Sequence, residues 1–102
     1  MTERRFAEPI GRTNDVLDVI ETLVEQAATK LTERGEGGRA FVMRLHRSDG
    51  HIARLMVETG APTRDPALVI RLLRERIDGL ADPLDPGFGY DSIDLAVPRV
   101  EE

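Results

Sequence analysis

The 102-residue sequence contains no cysteine and no tryptophan, and aromatic residues make up only 4% of it. The lack of cysteine excludes disulfides, thiolate metal ligands and cysteine nucleophiles, and the scarcity of aromatics predicts an aliphatic core. No apolar run approaches the roughly 20 residues that a membrane-spanning helix needs, and Met1–Ile10 lacks a leader pattern. With 40% hydrophobic and 32% charged residues, we expect one globular domain over residues 1–102, in a reducing cytoplasm.

The net charge of −5 is unevenly distributed along the chain. Residues 39–76 hold eight arginines against four acids, a balance of +4, whereas the remainder carries −9. Thirteen of the 14 basic residues are arginine, whose planar guanidinium binds phosphate but also forms structural ion pairs. The asymmetry indicates one side turned toward an anion, although an acidic chain is not a strong nucleic-acid binder.

Two stretches have the apolar spacing of amphipathic helices. The first follows Gly11-Arg12, with Thr13 or Asn14 as the predicted N-cap. Gly35 is the predicted end of this helix. The stretch Gly35–Gly38 joins a helix end to a strand start, so we interpret it as a flexible connection rather than a phosphate-binding loop.

The second helix has clearer boundaries. Asp65 is its predicted N-cap, and Pro66 occupies the first helical position, where the missing N–H costs nothing. Gly79 ends it. The predicted buried stripe consists of Val69, Leu72, Leu73 and Ile77.

Alternating residues predict strands over 41–46, 52–58 and 92–97, with a short strand at Arg4–Ala7 stopped by Pro9. Asp49-Gly50 predicts a tight hairpin. The order β-α-β-β-α-β is that of an α+β two-layer sandwich: a four-stranded antiparallel-type sheet with two helices on one face. The other face, called the open face, carries Val42, Arg44, His46, Ile52, Arg54, Met56, Glu58, Ser92, Asp94 and Ala96.

The open face is where a function is expected. Arg44 and Arg54 point outward and Arg39 lies at the hairpin base, an arrangement that suits contact with a phosphate backbone. The lack of aromatics argues against base stacking. The alternatives are an ordinary solvated face and a protein-docking surface, with Val42, Ile52 and Met56 as its apolar contacts. A small-ligand module would need a pocket at a dimer interface; a short glycine turn at a helix start would favour this alternative, and none is evident.

No pattern in the sequence predicts catalysis. His46 and His51 flank the hairpin without a third metal ligand, and Ser48 and Ser92 lack the setting of a serine nucleophile. We therefore expect no enzyme activity, no catalytic residue, no metal site and no cofactor.

Three stretches resemble the C-terminal little-finger domain of ImuB-type homologues of Y-family translesion polymerases. Arg4–Ile10 is similar to the segment that leads from the first strand of this domain into its first helix. Pro62–Pro66 and Leu72–Arg76 look like its second helix and the preceding loop. Asp85–Asp91 is similar to the approach to its last strand. The resemblance covers nearly the whole chain.

The resemblance implies a non-catalytic domain excised from a longer polymerase-like protein that acts in translesion synthesis, the SOS response and damage-induced mutagenesis. Its implied partner is the duplex DNA backbone, bound weakly and without sequence preference. Through the parent protein, a sliding clamp, a RecA-like protein and an error-prone polymerase are further implied partners, and the location is cytoplasmic and nucleoid-associated. The residues predicted to contact DNA are Arg39, Arg44, Arg54, Thr63 and Arg64.

One residue departs from the family pattern. Asp94 lies on the open face of the last predicted strand, where basic residues help some relatives to hold DNA. This acid predicts weak binding by the isolated domain, and it keeps open the alternative that the open face docks a protein of the mutagenesis complex.

Overall fold

A computed structural model describes residues 2–79, 87 and 89–102. The strands of this part of the chain form one antiparallel sheet in the order β1-β4-β2-β3. The predicted β-α-β-β-α-β sandwich is therefore confirmed. Part of the stretch Asp85–Asp91 lies outside the described residues. The elements are β1 (Thr2–Ile10), α1 (Thr13–Arg34), β2 (Gly37–Arg47), β3 (Ile52–Thr63), α2 (Pro66–Asp78) and β4 (Tyr90–Glu101).

The core lies between the sheet and the two helices, and among the described residues its fully buried side chains are aliphatic apart from Phe41 and Tyr90. The alternation of each strand sends one set of side chains into this layer and the other set to the open face. Neither helix in the described ranges is long and apolar enough to cross a membrane. The most deeply buried apolar side chains are Ile20, Leu23, Val24, Phe41, Met43, Leu45, Val69, Leu73, Ile93 and Leu95.

The start of α2 is as predicted, but its buried stripe is narrower. Asp65 caps the helix by accepting a hydrogen bond from the Ala67 N–H at 3.1 Å. Val69 and Leu73 are 2% and 0% exposed, whereas Leu72 is only half-buried. Because Leu73 points straight at the sheet, its neighbour Leu72 is rotated toward the margin of the core.

The N-cap predicted for α1 was wrong. The Arg12 carbonyl accepts the first helical hydrogen bond, from the Val16 N–H at 3.0 Å, so Arg12 occupies the cap position. Neither Thr13 nor Asn14 can then be the cap, because both already lie inside the helix. The predicted end at Gly35 is confirmed, with φ of 66° in the left-handed region.

The interpretation of Gly35–Gly38 as a flexible connection was also wrong. Gly37 and Gly38 begin β2 and are buried. A Cβ on Gly37 would lie 2.7 Å from the Pro62 Cβ, so this position admits only glycine without a shift of the neighbouring strand. The second half of the stretch is a tight packing point between β2 and β3.

The strands are longer than the alternation predicted. β1 extends from Thr2 to Ile10 and includes Pro9. It is an edge strand whose pairing with β4 is irregular between Arg5 and Ile10. An edge strand tolerates proline because its missing N–H faces away from the ladder. Pro9 therefore did not mark the end of the strand.

Candidate nucleic-acid interface

A row of four charged residues crosses the open face. Residues directly opposite one another on antiparallel strands project to the same side of a sheet. The register places Glu3 opposite Asp94, Asp94 opposite Arg44, and Arg44 opposite Arg54. We call these four residues the charged row. Its two acids and two arginines cancel in formal charge.

Two further rows lie beside it. The register aligns Arg5, Ser92, His46 and Ile52 in one of them. The other contains Ala96, Val42 and Met56. Ile52 and Met56 are 50% and 44% exposed, whereas Val42 is 6% exposed. Val42, which we expected in a docking surface, therefore offers little area to a partner.

The contribution of β1 was missed from the sequence. Glu3 and Arg5 belong to the open face and form an ion pair with a 3.0 Å separation between Glu3 Oε1 and Arg5 Nε. Their position depends on the pairing of β1 with β4. No local pattern encodes that long-range register, so no signal in the sequence identified them.

Asp94 is the buried centre of the charged row. It is 1% exposed, although its side chain is on the open face of the sheet. Oδ1 accepts a hydrogen bond from Arg44 Nε at 2.8 Å, and Oδ2 lies 2.8 Å from His46 Nε2. Burial of a carboxylate is costly unless both oxygens are satisfied. Arg44 and His46 provide that satisfaction and cover the group from solvent.

Arg44 is correspondingly held by its neighbour. The hydrogen bond that Arg44 donates to Asp94, followed by the negative charge of the same residue, raises the pKa of the Arg44 guanidinium above its ordinary value. The Arg44 side chain is 41% exposed, so one part of it faces solvent while Nε is engaged below. Arg44 is thus a surface arginine whose charge is largely compensated.

Arg54 differs from Arg44 although the two lie directly opposite each other. It is exposed on the outer strand β3. Within the described residues no acidic side chain pairs with it. Like charges on opposite positions repel, and the attachment of Arg44 to Asp94 offsets that repulsion. Arg54 is the arginine of the charged row whose positive charge is available to solvent.

Arg39 is also engaged. Its Nε donates to the Thr59 carbonyl and its Nη1 donates to Glu101 Oε1, both at 3.0 Å. Because these bonds tie β2 to β3 and β4, the side chain has a structural role at the base of the hairpin. The Arg39 side chain is 25% exposed.

Thr63 and Arg64 lie at the other end of β3, before α2. Thr63 Oγ1 accepts a hydrogen bond from the Asp65 N–H at 3.1 Å, while Arg64 is exposed. The register pairs Thr63 with Gly38, whereas Arg54 pairs with Arg44 at the hairpin end. The structure therefore separates the predicted contacts into two groups, and Asp65 occupies the helix N-terminus that an anion would need.

The described residues contain no group of three or more His, Asp or Glu side chains placed to share a metal ion. His46 contacts Asp94 and Arg44 contacts the same carboxylate. In this cluster the Arg44 guanidinium compensates the charge of the Asp94 carboxylate. Arginine has no acceptor atom and does not bind metals, so the cluster is an ion pair with a histidine beside it.

The fold is that of a little-finger domain. The structure is similar to the little finger domain of PolIV in a complex with the beta-clamp processivity factor, with a TM-score of 0.67 and 20% identity. The similarity covers 92% of this chain and 81% of that chain. At this level of identity the likeness establishes the architecture.

The sequence gives the family. The impB/mucB/samB family C-terminal domain matches residues 1–100, so the chain belongs to this family. It is also 28% identical over 96 residues to the protein ImuB of two Caulobacter vibrioides strains. That alignment covers 94% of this chain but only 20% of each relative.

Proposed function

We propose that this domain holds duplex DNA by its backbone, without catalysis, as one domain of a Y-family polymerase-like protein in translesion synthesis and damage-induced mutagenesis. Family membership and the little-finger fold support this role. The observation that carries it is Arg54, an exposed guanidinium on the open face without an acidic partner among the described residues. Such a group can bind a phosphate without first breaking an internal ion pair.

The proposed binding is weak and independent of base sequence. The charged row has no net charge, and the whole chain carries −5. We expect dissociation constants near the roughly 10⁻⁴–10⁻⁶ M range of non-specific duplex contacts. Arg54 is the principal contact in this proposal, Arg44 contributes through its exposed part, and Arg39, Thr63 and Arg64 are secondary contacts.

A duplex titration at several salt concentrations tests the proposal. Arg54→Gln should lower affinity for every duplex by roughly three- to tenfold and reduce the salt slope by about 0.9, the value of one phosphate contact. Arg76→Gln is the matched control, since Arg76 is exposed on α2 in the helix layer and the charge change is identical. Equal effects of the two substitutions would mean that the open face is not the DNA surface.

A second candidate is a protein-docking role for the same face. Ile52 and Met56 flank Arg54 on β3 and are the two large apolar side chains exposed on the described part of the open face. A sliding clamp is the partner to consider, because the structural neighbour is bound to one. A RecA-like protein and an error-prone polymerase are proposed partners of the whole protein. An unchanged salt slope in Arg54→Gln would favour this candidate, because apolar docking depends little on salt.

A further inference from the structure

Asp94 competes with any external anion for the Arg44 guanidinium. Its two oxygens engage Arg44 Nε and His46 Nε2 at 2.8 Å each. Both residues lie on β2 and belong to the open face that a phosphate would approach. Carboxylate and phosphate oxygens bind guanidinium through the same charge-assisted hydrogen bonds. A phosphate that approaches the exposed part of Arg44 must therefore share the guanidinium charge with Asp94.

The buried position of Asp94 favours its own contact with Arg44 over a contact between Arg44 and an external anion. Asp94 is 1% exposed and lies on β4, an inner strand between β1 and β2. Because a buried carboxylate without a partner is costly, Asp94 favours the arrangement in which Arg44 stays attached to it. The raised pKa of Arg44 reflects the same attachment. Arg54, one strand further out, has no comparable contact within the described residues.

We infer that Asp94 is an internal phosphate mimic that sets the affinity of the open face for DNA by engaging Arg44 and His46 from below. This inference rests on the proposed function, because it concerns the same face and the same ligand. Removal of the Asp94 charge should add one phosphate contact, at Arg44, to the contact already made by Arg54. The domain is thus built to hold DNA less firmly than its arginines would allow.

The experiment compares Asp94→Asn with Glu58→Gln in the duplex titration. Asparagine keeps the shape of Asp94 and retains an oxygen acceptor, but it removes the charge. Glu58 lies on the open face of β3, is exposed and has no ionic partner among the described residues, so its substitution removes an equal charge from the same face. Asp94→Asn should tighten binding roughly fivefold at 50 mM salt and steepen the salt slope by about 0.9. Glu58→Gln should leave the slope unchanged.

Arg44→Gln identifies the residue through which Asp94 acts. In the Asp94→Asn background it should abolish both the gain in affinity and the added slope. In the wild-type background it should cost less than Arg54→Gln, and this comparison holds even where Asp94→Asn folds poorly in a melting experiment. Equal losses for Arg44→Gln and Arg54→Gln in the wild type would overturn the inference.

The outcomes separate this inference from the proposed function. A normal Arg54→Gln effect with an Asp94→Asn variant that behaves like Glu58→Gln would overturn the inference alone. Arg54→Gln without effect in either background would overturn the proposed function and the inference with it. A steeper slope in Asp94→Asn that disappears with Arg44→Gln supports both.

Discussion

Asp49 shows how one exposed side chain organises the hairpin between β2 and β3. Its carboxylate accepts hydrogen bonds from Arg47 Nε at 2.8 Å and Nη2 at 2.6 Å, and from the His51 N–H at 3.1 Å. These hydrogen bonds lower the pKa of Asp49 to about 2. The bond from Arg47 is the largest cause, and the bond from the His51 N–H is the second. Gly50 completes the turn with a φ of 94°.

The lowered pKa of Asp49 determines how its contribution to stability changes with pH. The ionised form of Asp49 is favoured by folding, so its contribution is present above its ordinary pKa of about 4 and is lost as the pH falls to about 2. Asp49→Asn should lower the melting temperature at pH 6, because the asparagine loses the charge-assisted bonds to Arg47. The difference from wild type should shrink between pH 4 and pH 2. A constant difference over that range would show that the carboxylate charge is not responsible.

Single residues also show how much of the candidate site could be predicted from the sequence. The alternation of β2, β3 and β4 was enough to place Arg44, Arg54 and Asp94 on one face. It could not show that Asp94 is buried or that it holds Arg44, because both facts depend on the register across three strands. For this reason Arg44 and Arg54 were predicted with equal weight as DNA contacts, whereas the structure distinguishes them.

At the scale of elements, local signals predicted the type of each helix and strand and most helix ends, but not the extent of the strands. Asp65-Pro66 and Gly35 marked helix ends correctly because a cap and a left-handed residue act within one turn. The ends of β1 and β3 were missed because they depend on pairing with distant strands. The close approach of Gly37 to Pro62 is also non-local, and it was mistaken for flexibility.

This packing point gives a stability prediction. Gly37→Ala would place a Cβ 2.7 Å from the Pro62 Cβ and 2.9 Å from its carbonyl carbon. Because the obstacle includes backbone, the strands must separate, and we expect a loss of about 1–3 kcal/mol in urea unfolding. Gly60→Ala is the control within β3, since nothing lies within 4 Å of its added Cβ. Similar stabilities for the two variants would show that β2 and β3 are not tightly packed here.

At the scale of the whole molecule, the helix layer carries exposed acids of its own, apart from the charged row on the open face. Asp18 and Glu25 are exposed on α1 in the helix layer, on the opposite side of the sheet from the open face. A helix with its side chains is about 10–12 Å across, which exceeds the Debye length of about 8 Å at 0.15 M salt. The acidity of the chain as a whole should therefore influence approach to DNA more than the bound contact itself.

The double substitution Asp18→Asn with Glu25→Gln tests that separation. At 0.15 M salt it should change duplex affinity by less than about twofold, because screening isolates the helix layer from a phosphate on the open face. At 0.01 M salt, where the Debye length is about 30 Å, the same variant should bind more tightly than wild type. Asp94→Asn should act at both salt concentrations, since Asp94 contacts Arg44 directly. If the helix-layer variant gained as much as Asp94→Asn at 0.15 M salt, the DNA would have to lie against the helices, and the open face would lose its assignment.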